Sequence, residues 1–100
     1  MLFAVWAVDA PSKLAAREAV RERHRARLRA PAPHELEVVL AGPTLDASGA
    51  MAGTMLVIEA HSIDAVRAFI NADPYVEAGV YASVDIRPWR CGLGTIAANE

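Results

Sequence analysis

The first strand-like segment of the chain is apolar on both of its faces. Residues 2–8 form an unbroken apolar run that includes Phe3, Trp6 and Val8, and Pro11 follows it closely. An apolar run of this length that stops near a proline is typical of a buried strand. A strand with two apolar faces needs cover on both sides, and this requirement limits the folds that the chain can adopt.

A helix and a second strand follow this segment. Residues 13–29 are rich in strong helix formers, and Ser12 is placed to cap the start of the helix. The prolines within residues 30–34 end the helix. Residues 36–41 predict a second strand that stops at Gly42-Pro43, which we interpret as a turn; the alternative is that Gly42 brings the backbone close to a ligand.

The second half of the chain predicts two more strands with a helix between them. Residues 53–60 predict the third strand, and Ser62 then marks a helix start. Apolar residues at steps of three and four give this helix one apolar face, and Asp73-Pro74 ends it. Residues 80–86 predict the fourth strand, and the tail after Cys91 is expected to be weakly ordered.

The order of these elements is β-α-β-β-α-β, which predicts an α+β fold of the ferredoxin-like kind. We expect a four-stranded antiparallel sheet with both helices on one face, and with strands one and three as parallel neighbours at its centre. One domain is expected over residues 1–90, with a C-terminal tail over residues 91–100.

The helices cover only one face of this sheet, although strands one and three are apolar on both. An uncovered second face would expose a larger apolar patch than monomers usually tolerate. We therefore predict a homodimer through the sheet face, a dimeric α/β barrel. The alternative is that the tail after Cys91 folds back over the sheet.

Composition and charge exclude several classes of protein. The formal net charge of −2 argues against a nucleic-acid binder, and a single cysteine, Cys91, excludes a disulfide within the chain and a multi-cysteine metal site. No signal peptide and no membrane span are predicted. We expect a cytoplasmic protein with no nucleic-acid or membrane partner.

The candidate for chemistry is a histidine-carboxylate pair. His24 shares a stripe of its helix with Val20 and Leu28, so it should face the sheet. If both helices run in the same direction, His24 lies about 18 Å along the first helix and Asp73 about 16 Å along the second, so the two residues should lie at similar heights. The carboxylate would then orient the imidazole, and His24 would act as a general base. The alternatives are that His24 is a core residue and that Asp73 only ends a helix.

Four short stretches together resemble the YciI-like (YCII-related) family. They are the opening strand, residues 23–28 (RHRARL), residues 41–43 (AGP), and residues 72–75 (ADPY) with residues 78–81 (AGVY). The resemblance extends from residue 1 to about residue 89. It implies a dimeric α/β barrel whose active site is formed by His24 and by Asp73 of the Asp-Pro-Tyr motif, and dehydrochlorinase-type lyase chemistry is associated with the family. One departure, the prolines of residues 30–34 in place of a glycine-containing turn, weakens inference about the substrate from relatives.

Other residues are expected to contact a ligand around this pair. We predict that Arg21 binds an anionic substrate, and we interpret the other arginines of the first helix as a solvated face. Gly42, Pro43, Pro74 and Tyr75 complete the predicted binding residues, although Tyr75 fits core packing equally well.

The function predicted from these features is a cofactor-independent lyase or isomerase, dehydrochlorinase-like, acting on a small cyclic or carboxylated molecule. No cofactor motif and no metal-ligand spacing is present, so we expect neither a cofactor nor a metal. The alternative is a non-catalytic module that binds a small ligand or has a regulatory role. A third alternative is an oxygenase- or haem-type protein with His24 as a ligand.

Overall fold

The computed structural model describes residues 1–96 and contains one antiparallel sheet with helices on one of its faces. The strands are β1 (Leu2–Asp9), β2 (Leu36–Leu45), β3 (Met51–Ala60) and β4 (Tyr81–Trp89), in the sheet order β2-β3-β1-β4. The helices are α1 (Leu14–Arg29), α2 (Ile63–Asn71) and a short α3 (Pro74–Glu77). The predicted α+β, ferredoxin-like fold is confirmed, with α3 as an addition.

The predicted direction of the central strands was wrong. Strand β1 pairs with β3 in the antiparallel sense, with Val5 opposite Leu56. Each helix returns the chain across the sheet, and the hairpin between β2 and β3 adds one further reversal. Strands β1 and β3 therefore run in opposite directions, and so do the helices α1 and α2 that follow them.

The start of α1 also differs from the prediction. Lys13 occupies the N-cap position and makes no side-chain capping hydrogen bond. Ser12, the predicted cap, instead adopts a left-handed conformation with φ 64°. In α2 the prediction is confirmed, because the hydroxyl of Ser62 accepts a hydrogen bond from the backbone N–H of Ala65 at 3.2 Å.

Two strands continue beyond the residues that were expected to end them. In β2, Gly42 lies opposite Met55 and Pro43 lies opposite Thr54, so these residues are not a turn. A proline is tolerated here because β2 is an edge strand. In the same way β4, the other edge, includes Pro88, which lies opposite Phe3 of β1.

The main core lies between the sheet and the helices. Its fully buried residues come from the two central strands and from α2, and they include Phe3, Leu56, Ile58, Val66 and Phe69. The alternation of side chains along a strand sends Phe3 and Val5 to this side. Burial of these residues is the main favourable term that holds the helices on the sheet.

The opposite face of the sheet, which we call the outer face, is covered by residues 1–96 only at one end. Cys91 and Ile96 pack there around Leu2 and Val57. Trp6 remains 50% exposed on this face. The predicted tail therefore covers part of the sheet, and its residues 97–100 lie outside the described part of the chain. Within residues 1–96, no helix has the length and apolarity needed to cross a bilayer.

Candidate active site

His24 and Asp73 lie in direct contact in the interior of the protein. The Nδ1 atom of His24 is 2.9 Å from Oδ1 and 2.8 Å from Oδ2 of Asp73. The two residues are 5% and 1% exposed, respectively. A carboxylate can only accept hydrogen bonds, so Nδ1 carries a proton and the lone pair of the neutral ring lies on Nε2.

The reason for this contact differs from the one that the sequence predicted. Helices α1 and α2 run in opposite directions, so similar distances along the two helices do not bring His24 and Asp73 together. Asp73 instead caps α3, where its Oδ1 accepts a hydrogen bond from the backbone N–H of Tyr75 at 2.8 Å, and α3 packs against α1. Pro74 at the first helical position supplies the fixed φ that favours this start.

The ring of His24 is held in place by Tyr75 as well as by Asp73. The two rings stack with their centroids 4.0 Å apart and an angle of 23° between their planes. Within residues 1–96, Nε2 makes no hydrogen bond, and His24 lines a cavity. The pair therefore presents one basic nitrogen to any molecule that enters this cavity.

Arg17, which the sequence assigned to a solvated face, is in fact only 2% exposed and lines the same cavity. Its Nε and Nη2 atoms donate to the two carboxylate oxygens of Asp9 at 2.8 Å and 2.9 Å, and Nη2 also donates to the hydroxyl of Thr54 at 2.7 Å. Burial works against the charged form, but the hydrogen bond and the charge of Asp9 outweigh it and raise the pKa of Arg17. Arg17 is thus a fixed cation in the wall of the site.

Arg27 is a second arginine that the sequence analysis did not connect with the pair. Its Nη1 atom lies 3.5 Å from Oδ2 of Asp73, and its Nη2 atom donates to the carbonyl oxygen of Phe69 at 2.7 Å. Its guanidinium carbon also lies 4.2 Å from the centre of the Phe69 ring. Arg27 therefore ties the end of α2 to α1 and places a positive charge behind Asp73.

The cavity lies between α1 and β2 and has a volume of about 340 Å³, within the range usual for small-molecule sites. Of the residues predicted for the site, Arg21, His24, Gly42, Pro43 and Tyr75 line it. Asp73 lies behind His24, and Pro74 is buried at the start of α3; neither lines the cavity. The lining residues that sequence analysis did not select are Arg17, Arg25, Leu28, Arg29, Ala41 and Thr54.

Two tyrosines adjoin Arg17, and both are held in the neutral form. Burial raises the pKa of Tyr75, although Arg17 and Arg21 act in the opposite direction. Burial likewise raises the pKa of Tyr81, whose hydroxyl donates to the Thr54 hydroxyl at 2.9 Å. Neither tyrosine is therefore a proton acceptor near neutral pH, which leaves His24 as the base that faces the cavity among the residues that the structure describes.

Within the part of the chain that the structure describes, no group of three or more His, Cys, Asp or Glu residues is arranged to hold a metal ion. Positively charged side chains dominate the cavity instead. The arrangement can bind an organic molecule, remove a proton from it through Nε2 of His24, and stabilise the resulting imidazolium with Asp73.

Comparison with known proteins connects this architecture to one family. The family model of the YCII-related domain matches residues 1–90 of this chain. An uncharacterized protein of Haemophilus influenzae is 34% identical over 95 residues, which cover 90% of this chain and 97% of that protein. Protein YciI of Escherichia coli is 34% identical over 96 residues, with coverages of 90% and 97%.

A solved structure is similar over the same region. It is 5-chloro-2-hydroxyhydroquinone dehydrochlorinase (TftG) from Burkholderia phenoliruptrix, in complex with 2,5-dihydroxybenzoquinone. It is 33% identical in sequence and superposes with a TM-score of 0.81, covering 92% of this chain and 96% of that chain. The resemblance inferred from the four short stretches is confirmed, and this chain belongs to the YCII-related family.

Proposed function

We propose that this protein is a cofactor-independent lyase or isomerase, of the dehydrochlorinase kind, in which His24 is the general base and Asp73 positions it. The observation that carries the proposal is the double contact of Nδ1 with a buried carboxylate, with Nε2 left to the cavity. The similarity to TftG supports a small hydroxylated ring as the substrate.

Elimination of HCl suits this set of residues. His24 accepts the proton of a ring hydroxyl and returns it to the ring carbon that bears chlorine, so that this carbon becomes tetrahedral and the oxygen becomes a carbonyl. His24 then accepts the proton of a second hydroxyl, a second carbonyl forms, and chloride leaves with the electron pair of the carbon–chlorine bond. The atoms and charges balance without an oxidant or a reductant. Asp73 stabilises the imidazolium that forms, and Arg21 offsets the negative charge that develops on the substrate before chloride leaves.

The remaining residues of the proposed site shape the cavity. Gly42 and Pro43 contribute one wall from β2, and Tyr75 supports the face of the imidazole. Pro74 acts indirectly, because it sets the start of α3 from which Asp73 reaches His24.

The proposal is tested with 5-chloro-2-hydroxyhydroquinone and a panel of chlorinated hydroxyaromatics, with released chloride as the readout. We expect His24→Ala and Asp73→Asn each to lower the rate by about 10²- to 10⁴-fold. Asparagine is also a good cap, so Asp73→Asn should leave α3 in place. The matched control is Glu77→Gln, which removes an exposed carboxylate from the same short helix.

Two results would contradict the proposal. One is chloride release at the wild-type rate by both folded variants, which would exclude the pair from the chemistry. The other is a panel in which compounds bind but none is converted, which would favour the alternative of a ligand-binding or regulatory module.

We also propose that the protein is a homodimer in which the outer faces of two sheets meet. Support comes from Trp6, Val8 and Leu40, which are 50%, 55% and 48% exposed, respectively. Of the described residues of the last segment, Cys91 and Ile96 cover only the end of this face around Leu2. Exposed apolar surface of this kind is typical of a site that meets another protein surface.

A further inference from the structure

The walls of the cavity carry an excess of positive charge. Four arginines at steps of four along α1 line it, namely Arg17, Arg21, Arg25 and Arg29. No aspartate or glutamate of residues 1–96 is in the lining. Because a cavity with low-dielectric walls focuses such a field, the identity of the ligand is constrained by charge as well as by shape.

These four cations differ in whether a protein carboxylate neutralises them. Asp9 holds Arg17 through two hydrogen bonds, and Glu22 lies 3.3 Å from Arg25. Arg21 and Arg29 form no ion pair with any residue of the described chain. Asp73 does not offset them, because it lies behind His24 and close to Arg27.

The positions of the two unpaired arginines relative to His24 distinguish their roles. Arg21 is half-buried and lies three residues before His24, about 4.5 Å along the helix axis. Arg29 is exposed and lies about 7.5 Å beyond His24 along the axis. A charge on Arg21 is therefore less screened by solvent than one on Arg29.

The remaining lining indicates the body of the ligand. Leu28, Ala41 and Pro43 offer apolar surface, and the neutral ring of Tyr75 lies beside them. A small inorganic anion would leave this surface without a partner. A flat organic molecule with a charged oxygen would contact both kinds of wall.

From these observations we infer that the cavity selects an organic anion, and that Arg21 is the residue that recognises its negative oxygen. Arg29 adds attraction at the cavity mouth. The inference rests on the proposed function for the location of the site, but it concerns binding and not turnover. It predicts that ionised hydroxyquinones, phenolates and aromatic carboxylates bind more tightly than their un-ionised forms.

The test compares a charged probe with a neutral one of similar shape by isothermal titration calorimetry near neutral pH. The charged probe is 2,5-dihydroxybenzoquinone, whose hydroxyl groups are vinylogous carboxylic acids and are ionised under these conditions. The neutral probe is 2,5-dimethoxybenzoquinone. We expect the anion to bind at least about tenfold more tightly, and its affinity to fall as salt is added.

Variants then assign the effect to a residue. Arg21→Gln should weaken binding of the anion about tenfold or more and leave the neutral probe unaffected, because it removes a charge-assisted hydrogen bond. Arg29→Gln should give a smaller loss and a weaker salt dependence. The matched control is Arg23→Gln, which removes the same charge from an exposed position of the same helix and should leave the affinity unchanged.

Three outcomes would overturn the inference. They are equal affinities for the two probes, equal effects of Arg21→Gln and Arg23→Gln, and no detectable binding of the anion at millimolar concentrations. The result is separable from the proposed function: binding that depends on Arg21 without conversion of any substrate would support the anion site and contradict the lyase.

Discussion

At the scale of single residues, the site depends on polar groups that satisfy one another inside the protein. Arg17 joins Asp9 of β1 to Thr54 of β3, and Tyr81 donates to the same Thr54 hydroxyl. The guanidinium carbon of Arg17 also lies 4.4 Å from the centre of the Tyr75 ring. Buried polar groups are costly unless they are paired, so each member of this network depends on the others.

Because of the two tyrosines of this network, we expect the free energy of unfolding to decrease at alkaline pH. Both have a pKa raised by burial in the folded protein, whereas a tyrosine in the unfolded chain ionises near pH 10. Their contribution is therefore complete below about pH 10 and decreases as the pH rises above it, because only the unfolded state releases these protons. We expect the urea midpoint to fall between about pH 10 and 12.

The tyrosinate absorbance at 295 nm checks this expectation directly, because Tyr75 and Tyr81 are the only tyrosines in the sequence. It should remain absent in the folded protein near pH 10 and appear together with unfolding. The variant Tyr81→Phe should show a shallower loss of stability with pH. Ionisation of both tyrosines near pH 10, with the circular dichroism of the folded state retained, would contradict the assigned cause.

At the scale of elements, the sequence was sufficient for the order of strands and helices along the chain, but not for several of their boundaries. Strand β2 continues through Gly42-Pro43, because an edge strand has one row of N–H groups that needs no partner in the sheet. The periodicity of apolar residues does not indicate whether a proline lies in an edge strand of the sheet.

The short helix α3 was missed although a signal for it was present. Asp73 followed by Pro74 is typical of a helix start as well as of a helix end, since aspartate caps and proline fits the first turn. Arg17 left no such signal, because its partners Asp9 and Thr54 belong to two different strands, eight and 37 residues away in the sequence. Contacts of this kind follow from packing and not from local pattern.

Two glycines on adjacent strands provide a prediction about the sheet. A Cβ atom on Gly53 of β3 would overlap the hydroxyl of Thr44 and the carbonyl oxygen of Ala7, whereas one on Gly42 of β2 would meet nothing. We expect Gly53→Ala to lower the free energy of unfolding by about 1–3 kcal/mol, because the backbone of β1 must shift. Gly42→Ala is the matched control.

Urea denaturation of the two variants gives the comparison. Gly42→Ala should lie close to the wild type. Equal stabilities of the two variants would show that the close approach of β1 to Gly53 is not a constraint on the sheet.

At the scale of the whole molecule, the apolar character of both faces of β1 has two different consequences. One face forms the core under the helices, and within the described chain the other is covered by Cys91 and Ile96 only at the end near Leu2. The rest of that face is available for the proposed homodimer. A two-fold symmetric interface uses the same patch on both subunits, so one substitution changes the contact twice.

A single charge on this patch should therefore dissociate the proposed dimer. We expect Trp6→Glu to give a folded monomer, because two carboxylates would face an apolar surface at the interface. Light scattering coupled to size-exclusion chromatography measures the mass. Leu14→Glu, at an exposed apolar residue at the start of α1, is the control and should remain dimeric. A wild-type chain that is monomeric at every concentration would exclude the assembly.

The imidazole ring of His24 cannot turn over, and so swap the positions of Nδ1 and Nε2, without losing its contacts with neighbouring residues. Turning the ring over would break both contacts with Asp73 and disturb the stack on Tyr75. A hydrogen that leaves a bound molecule and a hydrogen that returns to it must therefore pass through the same atom, from the same direction. In the proposed reaction, the face of the substrate on which a new C–H bond forms is decided by the packing of one aromatic ring.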